Sequence, residues 1–390
     1  FPTNRRDFMA NRIYFANQQV AFRRDGTSTW LPAHGVQSVA VTTTFNLEQA
    51  FELGQLAIYE NIEGVPDIEM TMSKVLDGYA LLYHLTTNEA AGHGHGPTLA
   101  GRSNAKCIAA LGVWPDTQDS ASGNPSQQME ASGMFCSAVS YNFPLEDNFS
   151  EDVTIVGNNK GWKAAGAGTA IDCAAPGWTM VTATGFFPGN DDGPIGTGGV
   201  NRRENLAFAS TTAGDAGGVD YTYLPTELPG VDANGWISPR NGNNTVHLQS
   251  LTISTDLGRE ELFELGTRQP YARVVTFPVE VTCDIEMLSL SGDMINAFAD
   301  GCSTSTDQCT GIVDNLTNQS IRVATCEGTR VFLGDKNKLA SVNYGGGDAG
   351  GGNVTVTYSY TTFNDFTVLH PQDPNASGAT WWANRATYLT

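Results

Sequence analysis

The chain has 390 residues, with 41 acidic against 21 basic side chains and a formal net charge of −20. This length predicts two or three domains, and 40% hydrophobic residues exclude a wholly disordered chain. A surface this acidic repels phosphate, which argues against sequence-specific nucleic-acid binding. No apolar run is long enough to cross a bilayer, and residues 1–6 lead into no apolar stretch. We therefore expect neither a membrane-spanning helix nor a signal peptide.

The composition favours strands, turns and polar loops. Only 16% of the residues are charged, and there are 43 glycines. The seven cysteines are odd in number and form no C-x-x-C motif, so a reducing site of synthesis is expected rather than a disulfide scaffold.

The most informative feature is a long-period internal repeat. Residues 37–54 read QSVAVTTTFNLEQAFELG and residues 249–266 read QSLTISTDLGREELFELG. They align without a gap at an offset of 212, and eight of the 18 positions are identical. Further on, residues 137–141 (SAVSY) resemble residues 340–344 (ASVNY). Two unrelated β segments could converge on alternation alone, but a shared stretch of this length favours duplication.

Both copies predict the same order of elements. Each begins with alternating apolar and polar residues, which is typical of a half-buried strand. Thr44 and Asp256 then stand where a helix N-cap would stand, and an apolar stripe follows at helical spacing. Gly54 and Gly266 would end that short helix with a positive φ. A long alternating strand, an excursion and a hairpin complete each copy.

The repeat predicts two domains with insertions. The first spans residues 1–200, with insertions near 90–133 and 164–199; the second spans 201–390, with an insertion near 292–317 and a C-terminal arm at 371–390. Trp381, Trp382 and Tyr388 in this arm are candidates for contact with a neighbouring subunit. The alternative is that the arm folds back on its own domain.

The repeated segments resemble the tail tube proteins of long-tailed bacteriophages. The closest stretch is residues 249–266, with support from residues 277–286 (FPVEVTCDIE). The resemblance implies an all-β fold with short helices, built from two tandem tube-like β-sandwich or barrel domains. Such units join into rings around a lumen, and the rings stack into a tube. With six units per ring, two units per chain imply a homotrimer with pseudo-sixfold symmetry, whereas a hexamer with one decorating unit per chain is the alternative.

The same resemblance implies a non-enzymatic structural protein of the virion tail, made in the host bacterial cytoplasm. Its partners would be other copies of itself and possible tape measure, tail terminator, baseplate and sheath proteins. Double-stranded DNA would pass through during ejection without specific binding, and no cofactor is expected.

An acidic lumen fits such a conduit, because carboxylates repel the phosphates of passing DNA. Strand alternation places the polar residues of each long strand on one face. The lumen-lining candidates are Glu69, Thr71, Ser73, Glu280, Thr282, Asp284 and Glu286. A solvent face or a subunit interface would show the same alternation.

Motifs for catalysis and metal binding are weak. The sequence has no P-loop, H-E-x-x-H or G-x-S-x-G motif, and the S-x-x-K match at residues 103–106 lacks its partner K-T-G. The pair His93 and His95 lies in a glycine-rich stretch without further ligands, so we predict no metal site. The alternatives to a tube protein are another all-β virion component, such as a capsid decoration or baseplate protein, and a secreted carbohydrate-binding β-sandwich protein.

Overall fold

Over its described residues, the computed structural model shows an all-β protein with two short α-helices, which confirms this part of the predicted fold class. The structure describes residues 13–25, 27, 30–54, 56–88, 96–114, 125–164, 199–208, 220–231, 246–289, 292–295, 317–345, 347, 352–374 and 384–389.

The elements of the first half include both α-helices. The strands are β1 (Gln18–Arg24), β2 (Leu31–Pro32), β3 (Val36–Thr44), β4 (Leu47–Phe51), β5 (Ile58–Glu63), β6 (Asp67–Val75), β7 (Lys106–Val113), β8 (Gln127–Pro144), β9 (Ser150–Gly157) and β10 (Asn159–Ala164). The helices are α1 (Leu82–Thr86) and α2 (Leu99–Arg102).

In the second half the structure describes two short 3-10 helices, Arg203–Asn205 and Arg385–Thr387, and nine strands. The strands are β11 (Leu248–Asp256), β12 (Arg259–Leu262), β13 (Ala272–Val275), β14 (Glu280–Leu288), β15 (Arg322–Ala324), β16 (Arg330–Phe332), β17 (Lys338–Gly345), β18 (Thr355–Phe363) and β19 (Thr367–Leu369).

Eight antiparallel strands form the centre of the molecule, in the order β17-β18-β14-β11-β8-β9-β6-β3. The apolar members of the alternation face a common core, where Ile253, Ile285 and Tyr358 are fully buried. Burying one such side chain contributes about 1.5–3 kcal/mol, which fixes which face of the sheet turns inward.

The eight strands divide into two units with the same internal order. Unit one is β8-β9-β6-β3 and unit two is β17-β18-β14-β11, and β8 of unit one pairs with β11 of unit two. The β-bulges match as well. The register of the β3–β6 pair shifts between Val36 and Ser38, and that of the β11–β14 pair between Leu248 and Ser250. The repeat in the sequence is thus a repeat of strand order and pairing, while the predicted domain boundary near residue 200 stays a prediction.

The segment at 90–133, predicted as an insertion, contains ordered elements. It holds α2, β7 and the first part of the 18-residue strand β8. That first part pairs with β7 and β10, and β7 pairs with β1, so the sheet branches beside unit one. Alternating small residues such as Ala109 and Ala131 pack in the core here, while the division of the chain into domains with insertions stays a prediction. Most of the segments at 164–199 and 292–317 lies outside the described residues.

The prediction of short helices after Thr44 and Asp256 is wrong. β4 pairs with β5, and β12 pairs with β13, so each copy has a β-hairpin at this point. Gly54 and Gly266 do adopt positive φ angles, of 100° and 95°, but each follows a strand rather than a helix. A short amphipathic helix needs a surface to pack its stripe against. Leu47 and Phe51 stay 60% and 65% exposed, so the described residues offer no such surface here.

Helix α1 is held to unit one by a buried carboxylate. Glu151 accepts hydrogen bonds from the backbone N–H groups of Leu82 (2.6 Å) and Tyr83 (3.0 Å) and from the hydroxyl of Tyr141 (2.8 Å). Burial raises the pKa of this carboxyl, although the three donors oppose the shift. The helix therefore closes the core above β8 and β9.

Candidate functional site

The polar face of the eight-stranded sheet is a continuous surface across both units. Cross-strand neighbours on it are small and polar, as in the opposed pairs Thr71 and Thr154, Ser140 and Ser254. Seven carboxylates also stand on this face: Asp67, Glu69, Asp152, Asp256, Glu280, Asp284 and Glu286. Lys338, opposite Thr361, is the one basic side chain that the register places there within the eight described strands. The face is therefore acidic.

All seven lumen-lining candidates lie on this polar face. Glu69, Thr71 and Ser73 are on β6, and the four from unit two are on β14, with three strands between β6 and β14. They are half-buried or exposed, as an accessible lining requires. The structure thus brings the candidates together on one surface, while the lumen itself stays a prediction.

Hydroxyl groups on neighbouring strands orient two of the carboxylates. Ser250 donates to Glu286 (3.0 Å), and Ser359 donates to Asp284 (2.6 Å). Within the part of the chain that the structure describes, Asp67 pairs with Arg273, and none of the other six carboxylates forms an ion pair. Their negative charge therefore faces the solvent uncompensated by a neighbouring cation. Where β8 meets β11, the face dips into a shallow groove lined by Ser140, Asp152, Ser254 and Thr282.

The two ends of the eight-stranded array are edge strands. Among the described strands, β3 pairs only with β6, and β17 pairs only with β18. Thr42 on β3 and Asn343 on β17 are exposed. An edge strand presents a row of backbone donors and acceptors to any incoming strand, and most β proteins shield such edges.

Two hairpins carry exposed apolar side chains away from the sheet. We call β4–β5 arm one (residues 47–63) and β12–β13 arm two (residues 259–275). Both contain the repeated sequence Phe-Glu-Leu-Gly, and the leucines of this motif, Leu53 and Leu265, are fully exposed. Further exposed apolar residues in the arms are Phe51, Leu56, Tyr59, Phe263 and Tyr271. Contiguous exposed apolar surface of this kind is typical of a protein contact.

Arm two rests on the base of arm one through arginines. Arg268 donates to the backbone oxygens of Glu63 and, at 3.0 Å, Gly64. Arg273 forms ion pairs with Asp67 (3.1 Å) and with Glu261. These contacts fix the orientation of the arms where the two units join.

Sequence reasoning missed the arms, because the same spacing of apolar residues was interpreted as a helix. The repeated Phe-Glu-Leu-Gly motif was a usable signal. It recurs in both copies although its leucines are fully exposed, which a requirement of the core does not explain.

The C-terminal contact candidates are only partly described. Tyr388 packs beside Phe332, Leu369 and Leu389 of its own chain, so at this position the arm folds back. Trp381 and Trp382 lie outside the described residues, as does the pair His93 and His95.

The described residues offer little to a metal or a substrate. They contain no group of three or more histidine, cysteine or acidic side chains arranged to hold a metal ion. Ser103 of the S-x-x-K match donates to the carbonyl of Ala100, and Lys106 pairs with Asp25 at 2.9 Å, so the two are not joined as a catalytic pair. No helix in the described part of the chain has the length and apolar character needed to span a membrane.

Comparisons with known proteins give matches in structure only. No protein-family model and no curated protein sequence matches the chain. Solved structures similar to part of the chain include three components of contractile injection systems and related particles. A chain of the anti-feeding prophage baseplate aligns with a TM-score of 0.30 and 8% identity, over 40% of this chain and 98% of its own. A chain of the PVC sheath-tube complex, from an extracellular contractile injection system, aligns with a TM-score of 0.29 and 12% identity, over 40% and 94%. A chain of the anti-feeding prophage tube-terminating cap aligns with a TM-score of 0.28 and 12% identity, over 42% and 100%.

Proposed function

We propose that this protein is a non-enzymatic structural component of a phage-type tail, whose copies join into rings and whose rings stack into the tube that conducts DNA. One observation carries the proposal. Two units of the same strand order already join edge to edge inside one chain, and the same two kinds of edge remain open at the ends. A head-to-tail contact of this type repeats from copy to copy, and it closes a ring when the rotation per step divides a full turn.

The acidic polar face supplies a surface suited to the lumen of such a ring. Its carboxylates, including Glu69, Asp284 and Glu286, repel the phosphates of a passing duplex. Screening confines this repulsion to about 8–10 Å at ordinary salt, so only residues that line the channel contribute. Tape measure, tail terminator, baseplate and sheath proteins would be the further partners of the tube.

Two units per chain favour a ring of three chains with pseudo-sixfold symmetry. We expect the purified protein to form rings in negative-stain electron micrographs, with six similar densities around each ring. Light scattering should give the mass of three chains for the smallest closed species. Compact monomers across a range of protein and salt concentrations would contradict the proposal, and a ring of six chains would contradict its stoichiometry alone.

The arms are expected to hold successive rings together. Replacing both Leu53 and Leu265 with serine should shorten the tubes severalfold while leaving single rings intact. Each leucine would lose the roughly 1.5–3 kcal/mol that burial of such a side chain provides. Tube length is measured in negative-stain micrographs.

The matched control replaces Glu48 and Glu260, which are exposed at equivalent positions on the same arms, with glutamine. Tubes of unchanged length in the leucine variant would show that the arms do not stack the rings.

A further inference from the structure

The junction between the two units inside the chain is a template for the junction between chains. At the internal junction, β8 and β11 run antiparallel, with Ser140 opposite Ser254 and Tyr141 opposite Ile253. The open edges β17 and β3 are the counterparts of these two strands, because β17 holds the place of β8 in unit two and β3 holds the place of β11 in unit one.

The correspondence between units can be fixed residue by residue. β3 maps onto β11 at the offset of 212 found in the sequence, and the bulges that follow Val36 and Leu248 coincide under it. β8 maps onto β17 through a second pair of bulges, which lie after Cys136 and after Leu339. Under this mapping Tyr141 corresponds to Tyr344, as the alignment of SAVSY with ASVNY requires.

From this correspondence we infer that β17 of one copy pairs antiparallel with β3 of the next, with Asn343 opposite Thr42 and Tyr344 opposite Val41. The inference rests on the proposed ring. It goes further by naming which edges meet and in which register. Ser341 then lies opposite Thr44, and Gly345 lies opposite Ala40.

The inferred register keeps each face of the sheet consistent across the junction. Asn343 and Thr42 both stand on the polar face, since they oppose Thr357 and Glu69 inside their own units. Tyr344 and Val41 both stand on the core side. A slip of one residue would place polar side chains opposite the core, which is why register is specified wherever one face is buried.

The side chains on edge strands β3 and β17 are more exposed than those at the equivalent positions of β11 and β8. Tyr141 and Ile253 at the internal junction are fully buried, whereas Tyr344 is 48% exposed and Val41 is half-buried. Pairing of the two edges would give Tyr344 and Val41 the surroundings that the same positions already have inside the chain. A second copy is therefore the occupant that this edge fits.

The contacts of the arms differ between the two junctions: they are charged at the internal junction and apolar at the inferred junction between chains. Arg268 contacts the base of arm one, and its counterpart in arm one is Leu56, which is fully exposed. Near the base of arm two, Phe277 and Phe363 are 47% and 54% exposed. Leu56 of the next copy would approach these aromatic side chains. Leu56, Phe277 and Phe363, which are bare on an isolated chain, would therefore cover one another across the inferred contact. Leu53 and Leu265 remain for the contact between rings.

Paired cysteines test the register in the full-length protein. In the double variant Thr42→Cys/Asn343→Cys, the two residues are directly opposite across the inferred junction, where Cβ atoms lie about 4.5–5.5 Å apart. We expect mild oxidation of the assembled rings to produce chains linked by disulfides. Non-reducing denaturing electrophoresis should show dimers and trimers, and their yield should be at least tenfold above that of the unmodified chain, whose Cys326 is exposed.

Two matched variants control for reactivity. Ser140→Cys/Ser254→Cys carries the same pair at the internal junction and should close a bond within one chain, without linked species. Ala40→Cys/Asn343→Cys shifts the pair by two residues on the same face, where Cβ atoms lie about 7–8 Å apart, beyond the reach of a disulfide.

The experiment distinguishes a wrong register from a wrong proposal of the ring. Equal or better linking by Ala40→Cys/Asn343→Cys would overturn the register, as would rings in micrographs without linking by Thr42→Cys/Asn343→Cys. Either result leaves the proposed function standing. Absence of both rings and linked chains would overturn the proposed function and the inference together.

Discussion

Replacing Glu69, Asp284 and Glu286 with lysine is expected to make assembled tubes retain double-stranded DNA that the unmodified tubes release. Each replacement changes the charge of the polar face by two units. Within the described strands, the seven carboxylates there face one basic side chain on the same face, Lys338, and one of them, Asp67, is paired with Arg273. The altered face carries four lysines against four carboxylates, one of which, Asp67, is already paired with Arg273. It is therefore weakly basic and attracts phosphates through counterion release. Retention should therefore depend strongly on salt, falling by about 10³–10⁵ between 50 and 200 mM if some six to ten phosphates are contacted.

The geometry of the channel gives this experiment a second readout. Preassembled tubes are mixed with linear or covalently closed circular duplex and then sedimented. A face that lines a closed channel admits linear DNA through the tube ends and excludes the closed circle, whereas a face on the outside binds both. Co-sedimentation of linear DNA alone is the expected result.

The control for net charge places lysines away from the polar face. Glu146, Asp147 and Glu204 are exposed in a turn and a short helical segment. Their replacement by lysine makes the same change in total charge and should not retain linear DNA. Equal retention by both variants, or retention of circular DNA, would contradict an acidic lumen.

The long strands could be predicted from the sequence because their alternation has a direct physical cause. Residues such as Val281, Cys283 and Ile285 are buried, and the polar residues between them are not. A strand with one face in the core must show a period of two. The same pattern placed all of the lumen-lining candidates on one face.

The arms could not be predicted from spacing alone. Leu47, Ala50 and Phe51 recur at a helical spacing, and a short apolar segment fits a helix or a strand equally well. The partner strand decided the outcome, since Leu47 pairs with Glu63 and Ala50 with Glu60.

The junction of β8 with β11 also left no local signal. It joins segments more than 100 residues apart, and the two strands alternate like every other strand in the sheet. Which edges meet depends on the packing of the whole core, so it emerges only from the three-dimensional structure.

Replacing Lys74 with methionine is expected to lower the free energy of unfolding by about 3–5 kcal/mol, because it leaves a buried carboxylate without its cation. Lys74 is fully buried, and its ammonium group donates to Asp77 (2.6 Å) and to the backbone oxygen of His34 (2.7 Å). His34 also hydrogen-bonds Asp77 at 2.5 Å. Gly35 follows at a φ of 72°, and a Cβ atom there would lie 2.4 Å from the Asp77 carboxylate. The cluster thus fixes the turn that leads into edge strand β3.

The effect of this substitution should depend on pH. Burial alone would raise the pKa of Asp77, but the hydrogen bond from His34 and the charge of Lys74 outweigh it, so the pKa is lowered. A carboxyl with a lowered pKa in the folded state stabilises the fold above its unfolded pKa of about 3.9. That stabilisation disappears as the pH falls through the folded value. The difference between the unmodified protein and Lys74→Met should therefore be full at pH 7 and shrink below about pH 4.

Urea unfolding at pH 7, 5 and 3 measures this difference, and Lys106→Met is the matched control. Lys106 pairs with Asp25 at 2.9 Å, but both side chains are about half exposed, so its loss should cost only about 0–1 kcal/mol. The double variant Lys74→Met/Asp77→Asn removes both charges and should lose less than the sum of the single changes. Equal destabilisation by Lys74→Met and Lys106→Met at pH 7 would show that the buried cluster does not hold the base of β3.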